Sequence, residues 1–164
     1  MAEPGLHPSI RDIPMPKRMR RLPLTEQGFP TLFFAPVKNG QAIIRSVDVE
    51  KFRRCIEQRL CWLCGEPLDR LMTFVVSVTN AYTKVTLEPP CHHECAVYAM
   101  RACPFITNPN MRYRTSDWQH PGPYALYTTS YYTVGPISSS WPAAQITMGI
   151  PEMIEWTVPA AANE

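Results

Sequence analysis

Two short runs decide how this sequence folds: Cys61-Trp62-Leu63-Cys64-Gly65, and Glu88-Pro89-Pro90-Cys91-His92-His93-Glu94-Cys95. Two thiolates three positions apart reach one metal ion if the backbone turns tightly between them. Gly65, just past the second thiol, takes positive φ at little cost. A redox Cys-x-x-Cys opens a helix after a strand. This one follows a helical pattern and precedes a β-rich run, which favours metal. His92 and Cys95 lie three apart, so both face one side of a helical turn whose N-terminus favours bound thiolate. The expected ligands are Cys61, Cys64, His92 and Cys95, with Cys91 as the competing partner of Cys95 and His93 as a further alternate. Four protein ligands close a structural site and leave no position for substrate. Mixed thiolate and imidazole donors favour one structural Zn2+.

Working outward, Asp48 to Leu60 predicts a helix. Asp48 suits the N-cap, and Val49, Phe52, Ile56 and Leu60 recur at helical spacing between charged residues. Cys55 lies beside that stripe and reads as a small buried side chain. Between the two Cys-bearing runs, Met72–Val78 and Ala81–Leu87 are β-rich and flank Thr79-Asn80, which predicts a hairpin. A second helix is expected from about Cys91 to Cys103, stopped by Pro104. Knuckle, hairpin and helix in this order make a treble-clef-like zinc centre in a small α+β fold.

The flanks carry weaker signals. Thr31–Ala35 suits a buried strand, and Asn39-Gly40 suits a turn that would pair Phe33-Phe34 with Ile43-Ile44. Tyr124 to Val134 and Ala144 to Met148 suggest a β-rich C-terminal third, and Gly149 to Trp156 a turn into one last helical turn. Residues 1–23 read as an extended arm rich in Pro, 24–157 as a single zinc-stabilised domain and 158–164 as a loose tail.

The arm carries Lys17, Arg18, Arg20 and Arg21, a run able to grip phosphates. Arg112, Tyr113 and Arg114 offer two further cations and a stacking ring. The other readings of the arm are a solvated tail or a segment folded over the domain surface. At 164 residues, 45% hydrophobic and 18% charged, the chain suits one packed domain, while 18 Pro argue for long loops over a helical bundle. A formal net charge of +2 neither demands nucleic acid nor excludes it. Residues 1–21 mix charges and prolines without an apolar run, and no stretch approaches the roughly 20 apolar residues of a membrane helix. The expected location is therefore a reducing cytoplasm, where clustered cysteines bind metal more often than they pair.

Catalytic motifs are missing. A treble-clef nuclease places a water-activating His in the hairpin, and none lies between Cys64 and Cys91. His92-His93-Glu94 matches the His-x-Glu of zinc deaminases, but their Cys-x-x-Cys follows the Glu and here it precedes. With 7 Gly in the chain there is no phosphate loop.

Leu60–Glu66, Phe74-Val75-Val76, Glu88-Pro89-Pro90, His92, Cys95-Ala96, Tyr98 and Arg101–Phe105 together resemble a family of small uncharacterised proteins of phages and actinobacterial genomes. The likeness extends weakly to Arg21-Leu22-Pro23, Gly28-Phe29-Pro30, Tyr127-Thr128-Thr129, Gly149, Pro151 and Trp156. The family has Ser at the position of Cys91, followed by the same His, which implies His92 as the ligand. It carries Gly-Pro-Met-Cys where this chain has Ser77-Val78-Thr79-Asn80, and a Gly-Arg tail where it has Val158-Pro159-Ala160. The resemblance implies fold and metal, not role. A closed metal site, low net charge and 10% aromatic residues favour a non-enzymatic, phage-type interaction protein that binds a host or phage protein. Nucleic-acid binding is the alternative, and a metal-dependent nuclease the third reading.

Overall fold

The computed structural model describes residues 5–39, 41–42, 48–103, 124–135 and 145–157. Its elements are α1 (Val49–Gln58), α2 (Val78–Thr83) and α3 (His93–Ala102), with strands β1 (Val37–Lys38), β2 (Gln41–Ala42), β3 (Met72–Ser77), β4 (Val85–Thr86), β5 (Tyr124–Thr129), β6 (Tyr132–Val134), β7 (Ile146–Met148) and β8 (Pro151–Thr157). A 3-10 turn spans Lys17–Met19. Mixed α+β architecture is thus the observed class.

Two antiparallel three-stranded sheets organise the described residues, one in the order β3-β5-β8 and one in the order β4-β7-β6. β5 lies in the middle of the first, and all six of its residues are buried. That is why its sequence, Tyr-Ala-Leu-Tyr-Thr-Thr, lacks the polar alternation of a half-exposed strand. Leu126 joins a core with Phe52 and Cys55 of α1, Trp62 and Leu63, and Cys95, Ala96 and Tyr98 of α3. Ala125 and Tyr127 face a second core with Phe74, Val76, Ala81, Ile146 and Met148. In the first core Trp62 stacks on Phe34 at 4.8 Å and meets the edge of Phe52 at 5.7 Å. Burying a ring such as that of Phe52 contributes about 1.5–3 kcal/mol.

The arm belongs to that first core. Ile10 and Met19 are 2% and 1% exposed and belong to the same buried cluster as Cys61, Cys64 and Cys95. Residues 158–164 lie outside the described residues.

Both expected helices are present. Asp48 caps α1, its side chain accepting from the backbone N–H of Glu50 and of Lys51, and Cys55 is fully buried. The expected hairpin across residues 72–87 is not. β3 pairs with β5, and β4 with β7. Thr79-Asn80, expected to turn, lies inside α2. Ser77 caps that helix by accepting from Asn80 N–H, and Lys84 ends it in the left-handed region at φ 62°. A cap at each end and burial of Ala81 outweigh the β preference of Val78, Thr79 and Thr83. Of the treble-clef order, the knuckle and the helix are therefore seen without a hairpin between them.

Two further expectations are corrected. Phe33-Phe34 form a turn, and the strand pair around Asn39-Gly40 is Val37–Lys38 with Gln41–Ala42; Ile43-Ile44 fall outside the described residues. Tyr124–Val134, expected to be β-rich, holds two strands, β5 and β6, which join different sheets. Pro151–Thr157 is a strand paired to β5 in place of a helical turn. No helix of the described residues is long and apolar enough to cross a membrane.

Candidate metal centre

The knuckle is a short loop closed by an isolated bridge between Leu60 and Pro67. Cys61 N–H donates to Glu66 O at 2.8 Å, and Gly65 N–H to Cys61 O at 2.9 Å. Gly65 sits at φ 80°, and a Cβ there would lie 2.6 Å from the Phe33 ring. Both the turn and the close ring require glycine. The second ligand segment is fixed by a two-way backbone pairing of Thr73 with Cys91, at 2.8 and 2.7 Å, and by Trp62 N–H donating to Pro90 O at 3.1 Å. The Trp62–Pro90 bond joins the two ligand segments directly, and the Thr73–Cys91 pairing holds the second one against β3.

Cys61, Cys64, His92 and Cys95 converge, with their ligand atoms all within 4.8 Å of one another. Their residues are 0, 1, 3 and 0% exposed. His92 Nδ1 lies 3.4 Å from Cys64 Sγ and 3.9 Å from Cys95 Sγ. Around a tetrahedral zinc, bond lengths of about 2.3 Å to sulfur and 2.05 Å to nitrogen give a sulfur-to-nitrogen edge of about 3.6 Å. The observed pair brackets that edge, so the donors fit one ion. Backbone N–H groups support the sulfurs: Cys64 N and His92 N each donate to Cys61 Sγ at 3.4 Å, and Glu66 N to Cys64 Sγ at 3.5 Å. Such donors stabilise thiolate over thiol.

The other edge of the imidazole is held as well. With Nδ1 facing the sulfurs, Nε2–H donates to Pro67 O at 2.8 Å, which fixes the ring. Arg18 Nη1 lies 2.7 Å from the same nitrogen. Both are then donors and make no hydrogen bond to each other; the guanidinium donates to Glu94 and pairs by charge with Asp69 and Glu66.

Burial raises the Cys61 thiol, but hydrogen bonds with Cys64, Cys91, Cys95 and His92 drive it far down. Hydrogen bonds to Cys61 and Cys64, together with burial, raise Cys95. Burial lowers the His92 imidazole, yet hydrogen bonds to Cys61 and Cys64 push it up to about 10. A thiolate among groups with exchangeable protons is an environment in which a divalent cation displaces those protons.

Neither alternate is among the four clustered donors. Cys91 is buried and hydrogen-bonds to Cys61 as a neighbour of the four donors. His93 turns outward, with Nε2 2.6 Å from Glu155 Oε1 on β8. Of the basic run, Lys17 and Arg20 are exposed. Arg18 and Arg21 are committed to carboxylates, Arg21 to Glu66 at 3.3 Å, and Arg21 also donates to Cys64 O at 3.1 Å. Arg112, Tyr113 and Arg114 fall outside the described residues. Sequence reading placed Arg18 among phosphate contacts and missed its place beside the Cys/His cluster. No local signal connects Arg18 to carboxylates so distant in sequence.

Protein-family models, curated proteins and solved structures were compared with the chain, and none matches it.

Proposed function

We propose that this chain is a non-enzymatic interaction protein whose scaffold is pinned by one structural zinc ion, held by Cys61, Cys64, His92 and Cys95. The observation that carries the reading is the convergence of four buried donors from two segments. Three thiolates and an imidazole suit zinc over harder cations, and four protein donors fill a tetrahedron, which matches a structural role and not a hydrolytic one. The partner we infer is a protein of a phage or its bacterial host, met in the cytoplasm. Exposed apolar side chains support a contact role: Tyr82 and Trp156 are 78% and 50% exposed with ring centroids 6.3 Å apart. Paired aromatics of this kind anchor interfaces.

Nucleic-acid binding through the arm is the weaker reading, because Arg18 and Arg21 already face carboxylates. It requires affinity that falls steeply with salt and with removal of residues 1–21.

The test has two parts. Metal content of the purified chain should be one zinc per molecule and near zero in Cys64→Ser. Capture of a protein from infected-cell lysate should then be lost in the Tyr82→Ala/Trp156→Ala double variant. Zinc with capture unaffected by the double variant would move the contact surface elsewhere; no zinc in wild type would remove the metal reading.

A further inference from the structure

We propose that the N-terminal arm is a latch on the metal centre: Arg18 clamps the two ligand-bearing segments together from outside, so arm docking and metal retention strengthen each other. The inference rests on the metal reading above.

The ligands come from two separate stretches of chain, Cys61 with Cys64 and His92 with Cys95. Arg18 touches both. On the knuckle side it faces Asp69 at 3.5 Å and Glu66 at 3.9 Å. On the helix side its Nε donates to Glu94 Oε1 at 2.8 Å. Arg21 reinforces the knuckle side through Glu66 and the carbonyl of Cys64 itself. The planar fork of one guanidinium is suited to hold several acceptors in fixed relative positions.

These contacts are anchored in packing as well as charge. Met19, next to Arg18, is 1% exposed and shares a core with Cys61, Cys64 and Cys95. Farther along the arm, His7 N–H donates to Gly28 O at 2.9 Å, and the His7 ring stacks on Phe29 at 4.7 Å. The guanidinium therefore arrives on a seated segment, and its side chain is only 32% exposed.

The coupling follows from geometry. Carboxylates on both segments hold Arg18 only while the segments stay in register, and a shared metal ion fixes that register. A group that binds the joined arrangement better than the separated one must, by linkage, favour the ion that joins them. Removing partners that orient ligands from outside a metal site lowers metal affinity about 10- to 100-fold.

The experiment follows zinc transfer from the loaded full-length protein to a chromogenic chelator. Wild type is compared with Arg18→Ala, Arg18→Lys, and Arg11→Ala as an arm control away from the centre. The expected result is about 10- to 100-fold faster release from Arg18→Ala. Arg18→Lys should fall between, since it keeps the charge and loses the fork, and Arg11→Ala should match wild type. Brief trypsin treatment, before any zinc is lost, should cut Arg18→Ala faster than wild type after Lys17, Arg20 or Arg21. Where Arg18→Ala fails to fold, Glu94→Gln removes one acceptor and should speed release in the same direction. Release at the wild-type rate from a folded Arg18→Ala, or from Glu94→Gln where that stands in, overturns the latch while leaving the metal reading intact. A wild type that binds no zinc overturns both.

Discussion

Cys91 and His92 are chain neighbours, yet their side chains take different places. The backbone of Cys91 pairs in both directions with Thr73, and His92 follows as the N-cap of α3 with φ −63° and ψ 144°. That bend turns the imidazole toward Cys64 and Cys95. Cys91→Ala should therefore keep one metal per chain, whereas His92→Ala should lose it, as measured by metal analysis of the purified variants. Gly65→Ala combines a strained φ with a Cβ 2.6 Å from Phe33. It should lower stability by about 1–3 kcal/mol in urea unfolding. Burial, aided by the charge of Cys61, pushes the Cys55 thiol up to about 12. Its folded pKa thus lies above its unfolded value of about 8.5. Its contribution to stability is complete below that value and declines as pH rises toward about 12. Near pH 8 it is overwhelmingly thiol, so native protein should leave Cys55 unalkylated by iodoacetamide while urea-unfolded protein is labelled there, as read by peptide mass. The four donors were legible because ligand spacing is a local pattern. Arg18 was not, because its acceptors come from two distant stretches of chain that only the fold brings together.

At the scale of elements, α1 and α3 were legible for a related reason: caps, helical spacing and a stopping Pro all lie within a few residues. Asp48→Ala tests the first. It removes the acceptor at 3.0 and 3.2 Å from Glu50 N and Lys51 N, and should cost about 1 kcal/mol by denaturant midpoint. The strands were misjoined because β composition names a strand without naming its partner. Met72–Ser77 makes the point most clearly: it is the strand its composition predicts, but it pairs with Tyr124–Thr129 and not with the segment that follows it. Val78–Thr83 was misread because a short helix bounded by Ser77 and Lys84 leaves little periodicity to detect. Pro151–Thr157 was misread because pairing along β5 gives this segment its extended form.

Across the whole molecule, the cluster lies within the first core, and β5 stands between the two cores. The free energy of binding a structural zinc, about 10–16 kcal/mol, is comparable with or larger than the roughly 5–15 kcal/mol that holds a typical domain folded. On the metal reading proposed above, stripping the ion with a strong chelator should therefore collapse the near-ultraviolet circular dichroism of the buried Trp62 and Tyr127, and equimolar zinc should restore it. An unchanged spectrum after complete stripping would show that the packed cores hold without the ion. The sheet order adds a consequence for biosynthesis. On the ribosome, the arm, the knuckle and the start of α3 are made before β5, β7 and β8, the strands that complete both sheets. All four proposed donors are thus made while β3 and β4 still lack their partners. On the metal reading proposed above, zinc supply during translation would decide whether the knuckle and the start of α3 are tied together before β5 arrives to cover β3, and an untied nascent chain is the more exposed to aggregation.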